Sequence, residues 1–531
     1  MQGGLLKSAS AVAIIAAAGL FGASPAKAAD LGGDCCADLE ERVAELEATT
    51  MRKGNRKVSL TVSGYVSSHV MYWNDGTQND VYIGDGGAYG SRFRFVGEAK
   101  INPQLSAGFL YEFQSNANVL GSFNQLNGGD NVGNTGATGN AGLNYAGCGS
   151  VSGTTTINST NSVGCPVMRD ATVWLKHSQL GMVKIGHGST ATDNLILIDL
   201  GGASGGSASS PDVGLFMGGF ILRGKNGILA SNATNAQQYS GALNWTAAIR
   251  GHESFDTFRR NNVLVESPTI MGFSLQAAIA QDNFWDIAGR YAGEFQGIRV
   301  AAGFGYSEDT GLNGPYQTGV AFSPTFGTAP NINTTALSNV NGQNGNFCSA
   351  NCDVKSADWK GSFSGIHVPT GLYLTGAYGN RHLTGTQNGA TATAYSGPDL
   401  RMFYLNAGMS KNLTGLGNTI GYLEYSEHRG GLAQASFLGI TSGTNGYCTV
   451  LAGASTIAGQ TCDSKVTVWG LGVQQNIDAA SMQVYLSYKN YSFEGNGFNP
   501  VPATNANGGL NGFSGGVHDL QSITVGTKID F

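Results

Sequence analysis

Val58-Ser59-Leu60-Thr61-Val62-Ser63-Gly64-Tyr65-Val66-Ser67-Ser68-His69-Val70 is the stretch that decides the fold. Val58, Leu60, Val62, Gly64, Val66, Ser68 and Val70 fall on one side, and Ser59, Thr61, Ser63, Tyr65, Ser67 and His69 on the other. A period of two is the signature of an extended strand, whose successive side chains point to opposite faces. One face here is mostly aliphatic and the other polar, over a length beyond that of an ordinary soluble strand. A tilted strand of about ten residues crosses a bilayer. Apolar-out and polar-in is what a barrel enclosing water requires. In hydrocarbon the sheet must also close, because an open edge leaves backbone donors unpaired.

Working outward, the same pattern recurs near 90–102, 104–115, 167–179, 182–190, 259–268, 272–281, 286–297 and 298–308. It continues near 354–368, 371–382, 400–413, 418–429, 465–478, 481–493 and 518–531. With the first strand this predicts an all-β, 16-stranded antiparallel transmembrane β-barrel over 58–531, an even count as such barrels have. The connections fall into two alternating classes. Tight ones include Asn102-Pro103, Leu180-Gly181, Gln296-Gly297 and Ala479-Ala480; long ones run near 74–89, 116–166, 191–258, 309–353, 383–399, 430–464 and 494–517, with a short one at 282–285. Short turns therefore gather at one rim and long loops at the other. The last strand ends on Phe531, a terminal aromatic on an amphipathic strand.

Composition agrees with this reading. Of 531 residues 81 are glycine, yet 41% are hydrophobic, so many short strands joined by Gly/Asn/Ser/Thr loops fit better than a disordered chain. The net charge of −6 argues against a nucleic-acid partner. Lys7, the apolar Ala9 to Gly22 and the small-x-small Ala26-Lys27-Ala28 predict a signal peptide over 1–28 and a mature start at Ala29. Loss of Lys7 and Lys27 would take the charge from −6 to −8. Over 29–57, Cys36, Leu39, Val43, Leu46 and Thr50 step by three and four between glutamates, which predicts a short periplasmic helix with a heptad-like seam. So short a helix favours a partner helix or a docking surface. Cys148/Cys165, Cys348/Cys352 and Cys448/Cys462 each fall within one long loop of an exported chain and are expected as local disulfides. Cys35 and Cys36 precede the helix, either bridging between chains or serving no special role. The His/Cys clustering of a metal site is missing, and neither a metal nor a cofactor is expected.

Opening, strand and closing motifs together resemble the alphaproteobacterial general porins of the rhizobial type. The residues carrying this are Ala29-Asp30-Leu31, the run Asp38 to Thr50, Lys57 to Tyr65, Ser91 to Ala99, Asn262 to Gly272 and Val525 to Phe531. The resemblance covers the whole mature chain, and departs from the family in the length of several loops. It implies a sixteen-stranded barrel, usually a homotrimer in outer-membrane lipid, whose third long loop folds inward. It implies a passive, water-filled channel for small hydrophilic solutes and ions. The Ala29-Asp30 start also resembles those of related barrels joined to peptidoglycan through the N-terminal amine.

Charges on strands say where a lumen site would lie. Arg92 and Arg94 alternate with Phe93 and Phe95; Lys100, Lys184 and Arg290, with Glu98, Glu112 and Glu294, also sit on polar faces. Lipid contact would cost about 2–4 kcal/mol for Arg or Lys at mid-membrane, so these should face the lumen. Loop 191–258 is far longer than a hairpin needs and carries the apolar patches 195–198 and 215–222, so it is expected to fold inward as the constriction. Its Asp193, Asp199 and Asp212 are the acids expected to oppose the basic wall in a transverse field. Ordinary wetted lumen charges are the competing reading. Gly202-Ala203-Ser204-Gly205-Gly206 matches a G-x-S-x-G elbow but lacks the strand before and the helix after, and no catalytic residue is expected. A solute-specific channel for sugars or an anion such as phosphate, a barrel enzyme, and a tether to the cell wall remain the alternative functions.

Overall fold

An extended strand satisfies none of its own backbone groups, so every strand needs a neighbour on each side, and in hydrocarbon no edge can be left over. The computed structural model describes residues 58–86, 90–115, 124–125, 167–204, 209–212, 217, 219–225, 227, 229, 244–250, 254–256, 259–281, 283–310, 352–387, 393–396, 399–432, 434, 463–496 and 516–531. The expected signal peptide, the helix of 29–57, Ala29, Cys35, Cys36, Cys148, Cys165, Cys348, Cys448 and Cys462 lie outside the described residues, as does the side chain of Cys352.

The strands are β1 (Ser59–Asn74), β2 (Asn79–Gly84), β3 (Arg92–Lys100), β4 (Leu105–Gln114), β5 (Val167–His177), β6 (Gly181–Gly188), β7 (Arg260–Glu266), β8 (Phe273–Ala280) and β9 (Phe284–Phe295). They continue with β10 (Ile298–Asp309), β11 (Cys352–His367), β12 (Leu372–Gln387), β13 (Thr393–Ser396), β14 (Leu400–Asn412), β15 (Asn418–Arg429), β16 (Asp463–Ile477), β17 (Met482–Asn496) and β18 (Leu520–Asp530). All pairings are antiparallel; they join consecutive strands except for β1 with β3, β12 with β14, and the seam, where β18 returns to β1 in register Tyr65↔Asp530 through Asn74↔Gln521. The amides of Gly64 and Phe531 each donate to the other's carbonyl at 2.9 Å and finish the closure.

The eighteen segments build sixteen staves. β2 and β3 lie end to end along β1, opposite 69–74 and 59–65. β13 and β14 do the same along β12. At the first interruption Asp85, after β2, accepts from Ser67 Oγ at 3.0 Å, Ser91 N at 2.9 Å and Ser91 Oγ at 2.8 Å and so ties the end of β2 to β1 and to the start of β3. The sequence reading assigned 74–89 and 383–399 wholly to loops. Two or three alternations among Gly and Asp are too few to separate a short strand from a loop.

Leu60, Val62 and Val66 are 54–60% exposed while Ser67 and His69 are buried, so the aliphatic side of β1 is the outer one as expected. Polar-in fails where the wall meets the long connection after β6, most extensively in one region. Met71 and Trp73 of β1, Val466 and Val468 of β16 and Leu520 of β18 face inward and form an apolar core with Phe220, Ile221, Leu222, Trp245 and Ile249 of the long connection after β6. That part of the wall meets protein rather than water.

β10 is cut back to glycine on its inner face to let the same connection approach. A Cβ at Gly303 would lie 2.6 Å from Leu195 Cδ1 and 2.9 Å from Ile198 Cδ1, and one at Gly305 2.8 Å from Thr192 Cγ2. Overpacking of this kind costs about 1–3 kcal/mol. Gly303→Val is therefore expected to keep the heat-dependent electrophoretic shift of a closed barrel while trypsin cleavage after Arg223 and Arg250 rises several-fold. An unchanged cleavage rate would mean that the glycine notch does not seat the connection.

Candidate functional site

Alternation on β3 sends Phe93 and Phe95 outward and Arg92 and Arg94 inward. The β3–β4 register places Arg94 directly opposite Glu112 and Arg92 opposite Gln114. Glu112 is 3% exposed and gathers three guanidinium groups: Arg94 Nη2 at 2.6 Å, Arg169 Nε at 3.0 Å and Arg92 Nη1 at 3.3 Å. Arg169 Nη1 also donates to Gln114 Oε1. The Tyr65 ring lies 5.2 Å from the Arg92 guanidinium and 4.6 Å from Lys528 Nζ. Between this cluster and the β1–β18 seam is a cavity of about 260 Å³ lined by Tyr65, Arg92, Arg94, Glu112 and Asp530.

Sequence reading missed Arg169, because strict alternation puts it on the lipid side with Ala171, Val173 and Leu175. The β4–β5 register slips between Glu112 and Phe113, leaving Arg169 without a partner position on β4. A bulge re-aims a side chain, and here it turns an arginine from lipid to lumen. The available signal was the arginine itself, alone on an apolar face.

The connection between β6 and β7 is stitched to the inner wall one strand after another. The Ala191 and Thr192 amides and Thr192 Oγ1 donate to Asp286 of β9 at 3.1, 2.8 and 2.7 Å. Ser362 Oγ of β11 donates to the Leu195 carbonyl at 2.6 Å, and the Leu200 amide donates to Ser364 Oγ at 2.8 Å. Thr375 Oγ1 of β12 donates to Asp199 at 3.1 Å, Ser209 Oγ donates to Glu424 of β15 at 2.6 Å, and Gln474 of β16 donates to the Gly202 carbonyl at 3.3 Å. Near its far end, Arg381 of β12 pairs with Asp358 at 2.6 Å, donates to the Ser254 carbonyl at 3.1 Å and lies 5.0 Å from the Phe255 ring.

The expected site residues separate into three groups. Arg92 and Arg94 come together on Glu112. Lys184 lies half-buried on the inner face of β6, and Lys100 is exposed at the short-turn end of β3. Arg290 holds the connection: its Nη2 donates to the Ala191 and Asp193 carbonyls at 3.1 and 2.8 Å. The three acids are engaged within the connection and on its side of the wall. Asp193 lies 3.9 Å from Arg259 and accepts from Asn194 Nδ2 at 3.1 Å. Asp199 accepts from Gly201 N, Ser204 N and Ser204 Oγ at 2.8, 3.0 and 2.9 Å. Asp212 accepts from Arg250 Nε and Ser254 Oγ, both at 2.6 Å. Ser204, the serine of the elbow-like motif, is thus the partner of a turn-forming carboxylate.

Asp256 closes the same corner by accepting the Asn194 amide at 2.7 Å. Burial, and then the neighbouring Asp193 carboxylate, push Asp256 up to about 7. A carboxyl raised above its unfolded value stabilises the folded corner at low pH, and that contribution is lost as pH rises through the folded value.

Residues 9–360 match a family described as Gram-negative porin. Comparison with curated protein sequences returns no match. Among solved structures the chain is similar to the anion-selective porin from Comamonas acidovorans, at 15% identity and a TM-score of 0.45, over 89% of this chain and 100% of that one. It is also similar to in-vitro folded OmpT, an outer membrane protein of Vibrio cholerae, at 10% identity, TM-score 0.43, 90% and 99% coverage. OmpF of Salmonella typhi in complex with daunomycin matches at 13% identity, TM-score 0.41, 91% and 100% coverage.

Loss of the Asp256 proton is expected to loosen this corner. Open-channel current noise should rise as pH increases through about 7 and stay flat in Asp256→Asn. Noise independent of pH in the unsubstituted protein would remove Asp256 from the account.

Proposed function

The chain belongs to the Gram-negative porin family, and from that premise we propose a passive, water-filled channel of the outer membrane whose passage is set by loop 191–258. The observation that carries the constriction is the succession of hydrogen bonds from this loop to β9, β11, β12, β15 and β16. A loop held along those inner faces, and against Leu264 of β7 and Ala278 of β8, directs solutes along the wall of β3 to β5. There Arg94 remains 45% exposed while Glu112 beneath it is buried.

Three guanidinium groups gathered on one carboxylate give this part of the wall a local excess of positive charge. The loop's Asp193, Asp199 and Asp212 are held in its own framework, so the field across the passage is one-sided rather than balanced. Charge of one sign on the wall of a narrow aqueous pore raises the local concentration of the opposite ion. The channel is therefore read as favouring small hydrophilic anions over cations of equal size. Kinship with the rhizobial-type porins and attachment through Ala29 are kept as parts of the proposal. So is a homotrimer, for which the outward aromatic cluster Phe93, Phe95, Tyr111 and Phe113 on the short strands β3 and β4 offers a face.

The test is the reversal potential under a KCl gradient. Arg92→Ala with Arg94→Ala should lower chloride over potassium preference several-fold, and Glu112→Gln should move it the other way. Two variants that both keep the original reversal potential would place this cluster away from the narrowest point.

A further inference from the structure

The outer face of the barrel carries a second feature that solute passage does not use. On β14, β15 and β16, Arg401, Arg429 and Lys465 are in one register row: Arg401 is directly opposite Arg429, and Arg429 directly opposite Lys465. Their chain neighbours Leu400, Met402, His428 and Val466 are 0–2% exposed and face inward, so alternation sends all three cations outward. The side chains of Arg401 and Arg429 are 60% and 51% exposed and that of Lys465 27%. Strands in a sheet are about 4.8 Å apart, so the row places three positive charges within about 10 Å. Like charges directly opposite each other destabilise a sheet.

Three carboxylates balance the three cations one for one and leave the Arg401 and Arg429 side chains more than half exposed. Asp399 lies 3.0 Å from Arg401 and also 2.7 Å from His382; Glu427 lies 2.6 Å from Arg429 and 3.9 Å from Lys465; Glu494 lies 3.5 Å from Lys465. Four residues down the same strands, on the same outer face, the register row is Leu405, Tyr425 and Trp469. That separation is about 13 Å along a strand. Tyr and Trp mark the level where hydrocarbon gives way to headgroups, so the cations sit above it, at headgroup height, on the long-loop rim.

We infer that this row is a docking surface for the phosphate-bearing headgroup of a lipid in the leaflet at the long-loop side. Arginine presents a fork of donors that matches phosphate oxygens, and two forks flanked by a lysine suit a headgroup carrying one or two phosphates. Lipid tails would lie against Leu405, Tyr425 and Trp469 directly below. The carboxylates then act as spacers, keeping the guanidinium groups extended along the wall and exchanging one partner for phosphate oxygen when lipid arrives.

Native mass spectrometry of the purified full-length protein, released from detergent carrying equal amounts of phosphatidic acid and phosphatidylcholine, tests this. The unsubstituted protein should retain phosphatidic acid several-fold over phosphatidylcholine. Arg401→Ala with Arg429→Ala and Lys465→Ala should lose that preference while keeping the heat-dependent shift and the single-channel conductance. An intermediate loss should follow Arg401→Lys with Arg429→Lys, which keeps the charge and removes the forks. Equal retention by the triple variant would overturn the inference. So would displacement of the lipid by inorganic phosphate alone, which would make the row a site for free anion. Loss of the oligomer in the triple variant would also overturn it, assigning the row to a contact between copies of the chain.

Discussion

The unpaired backbone donor in hydrocarbon is the constraint from which everything else in this molecule follows. No water reaches it, and leaving it open costs several kcal/mol per group. Closure between β1 and β18 removes the last such edge, and the two hydrogen bonds between Gly64 and Phe531 bring the closed ladder to the final residue. Once the sheet is closed, alternation has to divide side chains between lipid and interior. Leu60, Val62 and Val66 can face outward only because Ser67, His69 and their equivalents face in.

A closed wall also creates the problem that loop 191–258 solves. Its apolar segments would be exposed if it stood outside the barrel, and its backbone would be unsatisfied if it lay inside without partners. The wall supplies both needs. Met71, Trp73, Val466 and Leu520 receive Phe220, Trp245 and Ile249, and Asp286, Ser362, Ser364 and Arg381 receive the loop's amides and carbonyls. The buried charge of Arg381 inside this packing is tolerable because Asp358 and the Ser254 carbonyl meet it with several hydrogen bonds. Among the described residues the connection packs on β7 to β12 and on β15, β16 and β18, while the basic cluster stands on β3 to β5.

Most of the barrel was legible in the sequence because its determinants are local. Alternation over about ten residues and the contrast of tight and long connections need no knowledge of neighbours, and the observed strands begin and end within a few residues of the expected ones. The site was legible only where the same locality held. Arg92 and Arg94 alternate plainly and do face inward. Arg169 escaped because its orientation depends on a register slip against β4. Val466 and Val468 share a strand with outward Trp469 and Leu471, so both faces of β16 read as apolar, and only the packed loop explains the inner one. For Asp193, Asp199 and Asp212 composition names a carboxylate without naming its partner, and the partners, Arg259, the Gly201 and Ser204 amides and Arg250, come only from the folded connection. Arg290 looked like a lumen cation, yet its geometry holds two loop carbonyls.

Single-channel recording in planar bilayers tests the central claim most directly, because a closed barrel with a wet lumen has a distinctive electrical behaviour. The purified protein, with no nucleotide or other energy source, should produce step-like currents that are ohmic at low voltage in either polarity. Their size should scale with the conductivity of the bathing salt over a wide concentration range. Absence of steps, or a current that saturates at low salt as a dedicated carrier's would, contradicts a passive water-filled channel.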